Sequence, residues 1–354
     1  MNRSDLGWKP HFELSFEPFK ACGFEPARVA RVDRELYLAL CPQDELAAEV
    51  SGKFRHEASA RADFPAVGDW VAIQPRHDEG KATIQAVLPR FSKFSRKVTG
   101  ANTDEQIIAA NVDTLFLVCG LDGDFNPRRI ERYLAPAWDS GAMPVIILNK
   151  ADLPDNIATL VAEVESIACA VPVHAVSATE RVGLDVLSTY LTPGKTVALL
   201  GSSGVGKSTL INALLGMQRL AIGDVSDHRD RGRHTTTHRE LVATPGGAML
   251  IDNPGMRELQ LWTDEDGLDE TFADIAALAA GCRFRDCSHT AEPDCAVQAA
   301  LADGTLDEAR FRNYLKLQRE LRYLAARQDQ RLRTAEKARR KQFARAQRAR
   351  YRLE

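Results

Sequence analysis

The sequence contains no run approaching the ~18 apolar residues that a membrane-spanning helix needs, and its opening, MNRSDLGWKPHFELSFEPF, lacks the basic-then-apolar order of a secretion signal. It also lacks a lipidation motif or amphipathic anchor. These absences argue against a membrane protein and point to the cytoplasm. A paired cysteine framework is missing too. Of seven cysteines, four are scattered (Cys22, Cys41, Cys119, Cys169) and three lie between 282 and 295, which suits reduced thiols and a local metal site better than disulfides. No internal repeat or low-complexity linker interrupts the chain. What remains is ordinary globular composition, 44% hydrophobic and 27% charged over 354 residues, enough for two or three domains. A monomer is expected.

Acidic residues are scarce at one end only. Residues 331–352 hold ten Lys or Arg against Glu336, so nine net positive charges sit there while the rest of the chain carries about −12 of the total of −3. An acidic body with a basic tail suits a polyanionic partner. The same charges also fit a solvated helix face. As a helix, Arg331–Arg352 would show base on every side, which favours nucleic acid over a core position and leaves RNA, DNA and a disordered tail all open.

From about 26 to 90 the pattern is short β-like runs, ARVARV, ELYLALC, LAAEVSGKF, GDWVAIQP and GKATIQAVLP, broken by turn residues. Five such strands predict a small closed barrel of the OB type, which often binds oligonucleotides but can equally be an inert packing module. After the polar stretch RKVTGANTDEQ, apolar strands alternate with helical segments: VDTLFLVCG, a helix near Arg128–Ser140, MPVIILN, a helix near Asn156–Cys169, VPVHAVS, TVALLG, then a turn and helix, and AMLID. Strands apolar on both faces and separated by helices predict a parallel α/β sheet, whose ligands sit at the carboxyl ends of the strands. Beyond about 270 the pattern is helical. The expected fold is therefore multidomain α/β, with an extension and barrel over 1–98, a nucleotide-binding domain over 99–268, and a helical metal-binding module with the basic tail over 269–354.

Three motifs fall at predicted strand ends. Gly201-Ser202-Ser203-Gly204-Val205-Gly206-Lys207-Ser208, followed by Thr209, fits G-x-x-x-x-G-K-[ST] between a strand and a helix. Its glycines let backbone N–H groups converge on phosphate, Lys207 reaches the β- and γ-phosphates, and Ser208 ligates Mg²⁺. Asp252-Asn253-Pro254-Gly255 fits D-x-x-G, whose carboxylate holds Mg²⁺ through water and whose glycine N–H meets the γ-phosphate. Asn149-Lys150-Ala151-Asp152 selects the base. A carboxylate only accepts hydrogen bonds, so Asp152 suits the N1–H and exocyclic amine of guanine and opposes the N1 lone pair of adenine. Asn149 braces the loop, the Lys150 stem lies along the base, and Ser177-Ala178 offer N–H groups to guanine O6. Together these motifs predict a GTP and GDP site.

Their order is NKAD, SA, GSSGVGKS, DNPG, with base reading before phosphate reading, the reverse of most GTPases. With a small barrel before them and GRHTTT (232–237) and a cysteine–histidine cluster after them, the sequence resembles the RsgA (YjeQ) family of circularly permuted small-subunit biogenesis GTPases over about 26–320. The resemblance implies binding to the small ribosomal subunit and its 16S rRNA, with GTP hydrolysis as a release or checkpoint step in late maturation. The water-orienting glutamine that often follows D-x-x-G is Met256 here, and the resemblance assigns that role to His234; a threonine of 235–237, taken as Thr236, completes the Mg²⁺ shell. Gly204 replaces the asparagine of potassium-dependent relatives. A rival reading is an RNA-binding assembly factor that only senses GTP. Cys282, Cys287, His289 and Cys295 gather four soft ligands in fourteen residues, a closed Cys₃His set for one structural Zn²⁺.

Overall fold

The computed structural model describes residues 2–98, 104–123, 125–168, 170–217, 239–252, 265–290 and 292–322. The chain opens with helix α1 (Pro10–Lys20), whose Phe12 and Phe16, four residues apart, face inward. Trp8 and Phe12 pack around the buried Trp70, with the Trp8 and Trp70 rings edge to face at 4.7 Å. From sequence this stretch reads only as an extension, and it carries Pro18. The proline lies within the helix and leaves the buried Phe face intact.

Five strands follow: β1 (Glu25–Asp33), β2 (Leu36–Leu40), β3 (Glu45–Val50), β4 (Trp70–Arg76) and β5 (Lys81–Val87). They pair in the order β1-β2-β3-β5-β4, and β4 returns to β1, which closes the barrel. Only β3–β5 is parallel. Irregular registers between Val29 and Arg31 and between Ala72 and Ile73 supply local bends. The run LAAEVSGKF proves to be two elements: β3 ends at Val50, and Ser51 caps helix α2 (Gly52–Glu57) by accepting from the Phe54 N–H. Along β1 the side chains serve two cores. Ala27 and Val29 fill the barrel, while Ala30 joins the core shared with the next domain.

A hairpin, β6 (Lys93–Val98) and β7 (Asp104–Ala110), links the domains where only a polar connection was expected. Then come β8 (Thr114–Gly120), α3 (Pro127–Asp139), β9 (Met143–Asn149), α4 (Ile157–Ile167), β10 (Val173–Ala175), β11 (Thr196–Leu200), α5 (Lys207–Leu215), β12 (Glu240–Ala243) and β13 (Met249–Asp252). The strand order β10-β9-β8-β11-β13 is wholly parallel, and β12 adds an antiparallel edge. A bridge at Arg31 and Glu240 joins that edge to β1 of the barrel, so one sheet runs through both domains.

Fully buried Arg28 ties the amino-terminal edge of this sheet together. It donates to the carbonyls of Leu6, Gly68 and Asn111 and, at 2.8 Å, to Thr196 Oγ1. Burial lowers its pKa to about 10 despite Asp113 and Asp69 nearby. It remains charged at neutral pH. Beyond β13 the described chain is helical: α6 (Glu265–Thr271), α7 (Ala273–Ala279), α8 (Ala296–Ala302) and α9 (308–322). They enclose their own small core of Leu268, Phe272, Ile275, Val297 and Phe311.

Candidate nucleotide site and metal centre

The parallel registers bring Asn149, the loop after β10, Gly201 and Asp252 to one carboxyl edge of the sheet. The loop after β11 is tightly built. A Cβ at Gly201 would stand 2.2 Å from the Val118 carbonyl oxygen, and one at Gly206 would stand 2.2 Å from Asn149 Nδ2. Gly206 caps α5 with a left-handed φ of 90°, so the helix N-terminus opens onto the loop. Lys207 Nζ donates to the carbonyls of Gly201 (2.7 Å) and Ser202 (2.5 Å). Val205 is buried, Ser203 and Gly204 are exposed, and Ser208 and Thr209 stand half-buried in the first turn of α5.

Asn149 joins this loop to the base-reading segments. It is 2% exposed, donates from Nδ2 to the Val205 carbonyl at 2.9 Å, and accepts at Oδ1 from the Ala178 N–H at 3.0 Å. Lys150 takes a left-handed φ of 65°, which turns the chain so that the Ala151 N–H reaches the Val176 carbonyl at 3.0 Å. Its ammonium meets Asp122 at 2.6 Å. Asp152 is exposed beside it, while Ser177 and Ala178 are buried. The Ser177 backbone pairs both ways with Val182, at 3.0 and 3.1 Å. Asp252 ends β13 half-buried, in register with Glu240. Behind the loop, burial pushes the Cys119 thiol up to about 12, against the pull of Arg129 and Lys207. It is no nucleophile at neutral pH. His234, Thr236, Gly255 and the basic tail lie outside the described residues.

Cys282, Cys287, His289 and Cys295 come together, with their ligand atoms all within 4.8 Å of one another. Sγ of Cys282 and Cys295 are 3.8 Å apart, and His289 Nδ1 lies 3.6 and 3.5 Å from them. Tetrahedral zinc, with bonds of ~2.3 Å to sulfur and ~2.0 Å to nitrogen, sets S–S and S–N edges of about 3.8 and 3.5 Å. The donor set fits that ion. The Gln298 N–H points at Cys295 Sγ (3.5 Å), and the Gln298 amide donates to the His289 carbonyl (2.5 Å), so the start of α8 supports the ligands from outside.

Comparison with known proteins completes the assignment. The RsgA GTPase family model matches residues 87–262. A small ribosomal subunit biogenesis GTPase RsgA of Opitutus terrae is 52% identical over 100% of this chain and 99% of its own. The chain belongs to the RsgA GTPase family. It is thus an enzyme that hydrolyses GTP. RsgA 1 of Oceanobacillus iheyensis is 48% identical over 88% of this chain and 89% of its own. The crystal structure of YjeQ from Thermotoga maritima matches with TM-score 0.66 and 27% identity over 84% of this chain and 98% of that one. YloQ, a circularly permuted GTPase, matches in fold at TM-score 0.61 and 23% identity, over 84% of this chain and 95% of its own. An ABC transporter model also matches 184–350. That range contains the phosphate-loop motif, which the two families have in common, but not Asn149–Asp152.

Two groups in this GTPase escaped sequence reasoning. Asp122, which holds Lys150, has no motif to mark it. Arg129 and Tyr133 on α3 reach the Ser202 hydroxyl, each at 3.2 Å. A basic residue and an aromatic on an amphipathic helix carry no spacing signal.

Proposed function

We propose that this GTPase binds GTP across Gly201–Thr209, Asp252, Gly255 and Asn149–Asp152 with Ser177-Ala178, and spends it as a release or checkpoint step in late maturation of the small ribosomal subunit. The observation that carries the nucleotide assignment is the pair of hydrogen bonds from Asn149, which lock the phosphate loop to the base loop. One buried side chain thereby sets the distance between the two ends of a single ligand. Lys207 meets the β- and γ-phosphates. Ser208 and Thr236, with Asp252 through water, hold the Mg²⁺ that a GTPase uses to neutralise developing charge. Met256 cannot orient the attacking water, and the family resemblance gives that role to His234.

Zn²⁺ at Cys282, Cys287, His289 and Cys295 staples the C-terminal module. The barrel, this module and the tail grip the subunit and its 16S rRNA, with the barrel side taken as 1–98, the GTPase domain as 99–268 and the module as 269–354. The relatives' names as small-subunit biogenesis GTPases support the ribosomal part. Among the described residues no helix is long and apolar enough to cross a membrane; the protein is taken as a monomer working in the cytoplasm, where ribosomal subunits mature. Met256 favours a second reading, in which GTP is mainly a sensing ligand. Base choice is tested with Asp152→Asn. An amide donor suits the C2 carbonyl of xanthine, so the variant should lose GTP affinity by at least about tenfold and gain affinity for xanthosine triphosphate. Unchanged preference for GTP removes Asp152 from the site.

A further inference from the structure

Helix α3 touches the phosphate loop and the C-terminal module with neighbouring residues. On one side Arg129 donates to Ser202 Oγ at 3.2 Å, and the Tyr133 hydroxyl lies 3.2 Å from the same atom. On the other side fully buried Glu131 accepts from Arg310 (2.6 Å), Asn313 (2.6 Å) and Arg128 (3.0 Å). Arg310, 4% exposed, grips both oxygens of Asp274 at 2.7 Å and donates to the Thr271 carbonyl at 3.1 Å. Arg128 reaches Asp307 at 2.6 Å. Residues 128 and 131 therefore hold α9 and the residue before it, and through Arg310 the ends of α6 and α7, while 129 and 133 hold the first residue after Gly201.

The two junctions differ in strength. The module side is a buried, charge-assisted network, which resists parting because separation strands a carboxylate away from water. At Ser202 the acceptor is a neutral, half-buried hydroxyl. Helix α3 thus links the module to Ser202 through side chains one or two residues apart. The carbonyl of Ser202 is meanwhile held by Lys207, the ammonium assigned to phosphate. Lys207 and α3 therefore hold the same residue, one at its carbonyl and the other at its hydroxyl.

We propose that Arg129 and Tyr133 are positioning residues for GTP hydrolysis, aligning the phosphate loop according to where the C-terminal module holds α3. The proposal rests on the assignment of Gly201–Thr209 as the phosphate loop. Neither side chain is assigned a contact with nucleotide. Their effect is on the aim of the loop's N–H donors and of Lys207 at the phosphates, and alignment weighs more on the transition state than on ground-state binding.

The test measures kcat, KM and GTP affinity for the full-length, zinc-loaded protein. Arg129→Ala should lower kcat at least fivefold with GTP affinity changed less than twofold, and Arg129→Lys, which restores a donor, should recover most of the loss. Tyr133→Phe, a milder change, should shift kcat in the same direction. Asn313→Ala, which loosens the module side, should also lower kcat, and the Arg129→Ala/Asn313→Ala double variant should lose less than the product of the single losses. Unchanged kcat in both Arg129→Ala and Tyr133→Phe, or fully multiplicative losses in the double variant, overturns the proposal while leaving the nucleotide site intact. Absence of GTP binding in the unmodified protein sinks both.

Discussion

Asn149→Ala removes the side chain that unites the two halves of the site. Its amide satisfies two buried backbone groups, the Val205 carbonyl at 2.9 Å and the Ala178 N–H at 3.0 Å, and alanine leaves both without a partner. Each stranded group costs about 1–3 kcal/mol, so the two loops lose roughly 2–6 kcal/mol of mutual support. That cost divides between overall stability and nucleotide affinity, because both loops must be in place to hold the ligand. An affinity loss of at least tenfold for GTP and GDP alike, about 1.4 kcal/mol, is expected. Asn149→Asp makes the partition visible. It keeps an acceptor for Ala178 but turns a second oxygen towards the Val205 carbonyl, and should bind no better than the alanine variant. Titration with a fluorescent guanine nucleotide, beside thermal unfolding of the nucleotide-free protein, gives both terms. Affinity within twofold of the parent for Asn149→Ala would refute the bracing role.

Other outcomes follow from the metal cluster and the sheet edge. One Zn²⁺ per chain is expected by elemental analysis, and Cys287→Ala or His289→Ala should lose the metal together with the fold of the C-terminal module; zinc-free protein purified without chelator contradicts this. Asp113 accepts from Lys9 (2.8 Å), Lys195 (3.3 Å) and the Thr196 N–H (3.0 Å). Burial pushes its carboxyl pKa up, but these partners outweigh burial and hold it below the usual value. A depressed carboxyl stabilises the fold above its unfolded pKa of ~3.9 and loses that contribution as pH falls through the folded value. Asp113→Asn should therefore lower stability at pH 7 by about 1–2 kcal/mol and flatten the acid side of the stability profile. Parallel pH profiles for the two proteins would count against it.

The site and the frame differ in how much of them could be read from sequence. Gly201–Ser208, Asn149–Asp152 and Asp252 are legible because phosphate and base impose fixed residue types at fixed spacings, and parallel strands carry them to one edge whatever else the chain does. The five barrel strands were legible from turn punctuation. The hairpin β6–β7 and strand β12 were not, since their pairing partners, and not their own composition, make them strands. Arg28 and Glu131 were the least legible. A charged residue in an apolar element is buried at no cost visible in the local pattern, because its partners come from far away. Leu6, Gly68, Asn111 and Thr196 surround Arg28, and Arg310 stands 179 residues from Glu131. Long-range polar closure of that kind has no periodicity to read.

GTP turnover of the full-length protein, measured alone and against titrated small subunits, large subunits and bare RNA, tests the functional assignment most directly. With Met256 in place of a water-orienting side chain, basal hydrolysis should be slow. Small subunits should raise kcat strongly, and His234→Ala should abolish most of that rise while leaving GTP affinity near normal. Turnover that is indifferent to small subunits, or raised equally by large subunits and RNA, would contradict a small-subunit maturation GTPase.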